Sequence, residues 1–62
     1  MNYYVIIYRG SSGTGAAEQP MSLGFYTNEN AYSFAYAWYE RHPATDVFVW
    51  SNSTDTLDEI SA

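Results

Sequence analysis

The run Tyr3-Tyr4-Val5-Ile6-Ile7-Tyr8 is apolar at both parities and rich in β-branched and aromatic residues, the composition of a strand covered on both faces. A second run, Val47-Phe48-Val49-Trp50, repeats the pattern after Asp46. Between them lies one segment with clear helical periodicity. A fold built on these runs has two apolar sheet faces and one helix to cover them, and one helix covers one face.

Met21, Leu23 and Phe25 alternate with Ser22, Gly24 and Tyr26, as in a half-buried strand near a sheet edge, where Gly24 suggests a bulge. Thr27 or Asn28 supplies a helix N-cap, Glu29 suits the positive end of the helix dipole, and Pro43 stops the helix after His42. On a helical wheel Ala31, Phe34, Ala35, Trp38 and His42 share the core stripe, with small alanines admitting close approach to a sheet. Tyr32, Tyr36 and Tyr39 form a second stripe on one flank, so the apolar arc is wider than one sheet contact requires.

The expected fold is α+β: a small β-β-α-β domain over residues 1–50, whose three-stranded, mainly antiparallel sheet has spatial order 2-1-3 and one helix packed on one face. Residues 10–20, rich in Gly, Ser and Thr, read as a flexible connection. Residues 51–62 read as a polar, acidic, frayed tail; Thr56 and Glu59 have capping-box spacing, but too few residues follow to sustain a helix.

Strand parity then divides the apolar residues into two sets. Tyr3, Val5, Ile7, Met21, Leu23, Phe25, Val47 and Val49 are assigned to the helix side. Tyr4, Ile6, Tyr8, Tyr26, Phe48 and Trp50 are left on the other, relieved only by Ser22 and Gly24. Contiguous Tyr and Trp on a surface are a mark of protein interfaces, because these rings bury much area at low entropy cost and keep a polar handle. The six residues, with the helix tyrosines Tyr32, Tyr36 and Tyr39, are the candidate docking surface. An isologous homodimer is the first expectation, since two-fold assemblies are the commonest; a larger protein is the other partner considered.

Composition narrows the remaining classes. At 62 residues the chain is near the lower limit for burying a core of its own. The absence of cysteine and the presence of one histidine leave neither a disulfide nor a structural zinc site as a staple, and no cofactor or metal is expected. Seven acidic residues stand against Arg9 and Arg41, with no lysine and a net charge of −5. Phosphate-backbone binding needs several cations, so direct nucleic-acid binding is disfavoured. No apolar run is long enough to span a bilayer and no signal peptide is legible, so no membrane contact and a cytoplasmic location are expected.

Catalytic constellations are weak. Gly10, Gly13 and Gly15 follow a strand, but no lysine and no helix N-terminus come next, unlike a phosphate-cradling loop. His42 is the only imidazole, and at the last turn of the helix it suits capping better than base catalysis. The chain is therefore expected not to be an enzyme. Size and charge are those of phage and mobile-element products that inhibit host proteins, an analogy without residue assignments. The expected function is a non-enzymatic interaction module that regulates or inhibits a larger protein. Alternatives are an acidic decoy that mimics nucleic acid toward a basic protein, and a structural subunit of a larger assembly.

Overall fold

The computed structural model describes residues 1–8 and 20–61. The connection over residues 10–20, apart from Pro20, lies outside the described residues, and with it the three glycines weighed as a phosphate loop. The elements in chain order are β1 (Tyr3–Tyr8), β2 (Met21–Phe25), α1 (Asn28–Arg41), β3 (Asp46–Ser51) and β4 (Thr56–Ile60).

The fold is α+β, with one helix and an antiparallel sheet of four strands in the order β2-β1-β3-β4. The expectation of three strands is thereby corrected, and so is that of a frayed tail: β4 pairs along its length with β3, from Ser51 opposite Thr56 to Val47 opposite Ile60. The turn between them is Asn52-Ser53-Thr54-Asp55, in which Asp55 has φ 51°. This left-handed conformation suits Asp better than most non-glycine residues, because its short side chain bonds locally. Here Asp55 Oδ1 accepts a hydrogen bond from Trp50 Nε1 at 3.1 Å, tying the hairpin to β3.

β1 is central, as its double apolarity requires. Because β2 and β3 are both antiparallel to β1, they run parallel to each other, and α1 is the crossover between them. The core lies between α1 and the sheet, where Val5, Ile7, Val47, Val49 and Ile60 meet Ala31 and Ala35. Around it Phe25, Phe34 and Trp38 pack in sequence, with ring centroids 5.5 Å and 6.3 Å apart.

Thr27 is the N-cap, its Oγ1 accepting from the Asn30 amide at 3.2 Å. At the other end the core stripe is one turn shorter than the wheel suggests. His42 is the exposed C-cap: its amide donates to the Trp38 carbonyl at 2.8 Å, and its ring lies 4.2 Å from that of Trp38. The histidine thus closes the helix through its backbone and does not enter the core. Gly24 marks no bulge, since β2 pairs with β1 without interruption. Its missing side chain instead admits Met1, whose Sδ a Cβ at this position would strike. No helix among the described residues is long and apolar enough to cross a membrane.

Candidate functional site

Residues opposite one another in an antiparallel pair project to the same face, so the register sorts the sheet into two surfaces. One carries the core and α1. The other is made of three rows that run from β2 to β4. The first is Gly24, Tyr4, Trp50 and Leu57; the second is Ser22, Ile6, Phe48 and Glu59; the third is Tyr8 and Asp46. No described element lies over these rows, because the only helix among the described residues is on the opposite side.

Tyr4, Ile6, Phe48 and Trp50 are nevertheless half-buried, because they cover one another sideways. Tyr4 and Trp50 are tilted with centroids 5.7 Å apart, and Tyr8 meets Phe48 edge-on at 5.8 Å, both arrangements that the ring quadrupole favours. At the margins shielding ends: Tyr8 is 41% exposed and Leu57 57%. Relief is supplied by β2, where Ser22 and Gly24 are small. Beside them is a depression of about 420 Å³ lined by Tyr4, Ile6, Ser22, Trp50 and Asn52. The charged groups on this face are the carboxylates of Asp46 and Glu59, with Asp55 at the hairpin; the one described arginine, Arg41, is on α1.

Of the nine residues selected from sequence, the structure brings Tyr4, Ile6, Tyr8, Phe48 and Trp50 together on this open face. Tyr26 is 75% exposed but lies one residue past the end of β2, outside the paired rows. The helix tyrosines stand elsewhere. Tyr32 and Tyr39 are half-buried against the core, and Tyr36 is 51% exposed, with its ring 6.4 Å from that of Tyr32. The Tyr32 hydroxyl donates to Asp58 Oδ2 on β4. That hydrogen bond to the carboxylate, together with burial and the nearby charges of Asp58 and Tyr36, pushes the Tyr32 phenol up to about 12.

Sequence reasoning missed Leu57, Glu59 and Asp46 as members of the open face. The signal for the first two was the turn cluster Asn52-Ser53-Thr54-Asp55 after an apolar strand, which announces a hairpin.

A second depression, about 360 Å³, is lined by Phe34, Ala37, Trp38, Arg41 and His42 at the end of α1. The hydroxyl closest in sequence to the imidazole, Thr45 Oγ1, donates to the His42 carbonyl at 2.7 Å and accepts from Trp38 Nε1 at 3.2 Å. It serves the helix end and is not aligned as a nucleophile for the ring. Among the described residues no three of His, Cys, Asp and Glu are gathered so as to hold a metal ion. No family model, curated protein or solved structure matches the chain.

Proposed function

We propose that this chain is a non-enzymatic protein-interaction module that docks through the open face of its sheet, first to a second copy of itself, and in that form regulates or inhibits a larger protein. One observation carries the reading: an aromatic and aliphatic face that no described strand or helix covers, with Met1 laid over it at Gly24, in a chain too small to spare apolar surface. The direct test is absolute mass by light scattering over a wide concentration range, comparing wild type with Tyr8→Ser/Leu57→Ser. Both positions are exposed, and far-ultraviolet circular dichroism establishes that the variant folds. A wild-type dimer lost in the variant supports the reading. A wild-type monomer at every concentration contradicts self-association and sends the search to a larger protein.

A second reading, the acidic decoy, draws on β4. Glu59 is held by strand pairing at a fixed position on the open face, with Asp46 on the same face and Asp55 in its turn, whereas Asp58 lies on the other side and accepts from Tyr32. Carboxylates at fixed spacing can stand in for phosphates where a frayed tail could not. Binding to a basic protein that weakens steeply with salt distinguishes this reading.

A further inference from the structure

The side chains of the open face are charged in one sense only, and we propose that the part of it around Phe48 and Trp50 receives an arginine-bearing segment of a larger protein. This rests on the reading of the face as a docking surface and names the chemistry of its occupant. Phe48 lies between two exposed carboxylates: Glu59 stands opposite it on β4, and Asp46 precedes it by two positions on the same side of β3. Opposed residues of an antiparallel pair have Cβ atoms about 5 Å apart, and alternate residues of one strand are about 7 Å apart. A cation held within about 6 Å of a ring centroid by the ring quadrupole is therefore within reach of both acids. Tyr8 stands opposite Asp46 and meets Phe48 edge-on. In the next row Trp50 completes the set, its indole donating to Oδ1 of a third carboxylate, Asp55.

Charge complementarity decides among occupants. The one described arginine, Arg41, is on α1, and Met1 lies over Gly24 on β2, at the other edge of the sheet from Glu59. A second copy brings the same carboxylates and ring faces to this surface, so a basic segment is the better fit and displaces it. An anionic ligand is repelled by the face and by a net charge of −5. Arginine suits the site better than lysine. Its flat guanidinium stacks on a ring while its N–H groups donate to carboxylates at the sides, whereas an ammonium is a compact, strongly hydrated point charge. In an extended segment alternate side chains point the same way about 7 Å apart, the spacing of Phe48 and Trp50 along β3. A segment of about five residues spans about 17 Å, the length of a strand, and needs far less area than a folded partner buries.

The test titrates short capped peptides of alternating arginine and serine, or of lysine and serine, into isotope-labelled protein and reads the two indole signals by nuclear magnetic resonance. The arginine peptide should shift the Trp50 indole, leave that of Trp38 on α1 in place, and bind about fivefold tighter than the lysine peptide of equal charge. Asp46→Asn/Glu59→Gln should weaken its binding about tenfold. Glu29→Gln/Glu40→Gln, which removes the same charge from exposed positions of α1, should change it less than about twofold. Far-ultraviolet circular dichroism establishes that each variant folds. Equal binding of the two peptides, or equal losses in the two double variants, overturns this site and leaves attraction by net charge, as in the decoy reading. No peptide binding while open-face signals move on dilution overturns the cationic occupant and leaves docking to a second copy standing. Open-face signals that move with neither overturn both.

Discussion

The two faces of the sheet are both apolar and reach different ends. On the α1 side Val5, Ile7, Val47 and Val49 are almost wholly buried, while on the other Tyr4, Ile6, Phe48 and Trp50 are half-buried by their neighbours alone. Aliphatic β-branched residues fill the face that the helix closes, and rings populate the face it leaves open. That division is physically sensible. Rings can shield one another laterally and keep a polar edge in water, which small branched side chains cannot do. Each face is also tied to the β4 hairpin by one aspartate that accepts from an aromatic donor, Asp58 from Tyr32 on the closed side and Asp55 from Trp50 on the open side.

Adjacent isoleucines provide the sharpest way to break this contrast. Ile7 points to the core and Ile6 to the open face, so the same truncation samples both. Ile7→Ala should cost about 3 kcal/mol in urea unfolding, enough to leave so small a domain largely unfolded. Ile6→Ala should cost about 1 kcal/mol, because much of that side chain is already wet. Equal costs would mean that the open face is as closed as the core.

The aspartates come next. Asp55→Ala removes the acceptor of the Trp50 indole and places a Cβ-bearing residue without local bonding at positive φ, and it should cost about 1.5 kcal/mol. Asp55→Gly loses the same bond without the backbone strain, and the difference between the two variants isolates that strain.

The smallest effect is the one at high pH. The folded state prefers the Tyr32 phenol protonated and pushes it from the ordinary 10.0 up to about 12. Its contribution to stability is therefore fully present below pH 10 and is lost as pH rises through about 12. Partial exposure to solvent screens the pair and keeps the loss modest. Thermal unfolding of wild type and Tyr32→Phe between pH 9 and about 12 should show the wild type losing stability more steeply over the upper part of that range; parallel curves would place Tyr32 outside the linkage.

Most of the fold was legible because parity and punctuation are local signals. Alternation around β1, β2 and β3 separated the two faces, and Thr27 and Pro43 bracketed α1. The fourth strand was not legible. Leu57 and Ile60 fall on opposite faces of β4, and their spacing of three imitates a helical turn. An edge strand needs little apolar content of its own when its partner supplies the hydrogen bonds, and its charges protect the edge. The excess width of the helix's apolar arc was the trace of this strand. Tyr32 looked like surplus on a three-stranded sheet, yet β4 gives it Asp58 as a partner. The wheel also carried His42 into the core stripe, where periodicity alone could not show that the helix had ended at Arg41. Of the open face, the β1 and β3 residues were readable from parity, whereas Leu57 and Glu59 depended on a strand that the pattern concealed.

The most direct test of the open face as a docking surface is to follow assigned nuclear magnetic resonance signals on dilution. With docking through the open face, the Trp50 indole, the Ile6 methyls and the Phe48 ring shift with protein concentration, while the methyls of Val5, Ile7 and Val47 on the closed side do not. Signals that stay fixed on both faces, or that move around Tyr36 on the outer side of α1 and not on the sheet, would contradict it.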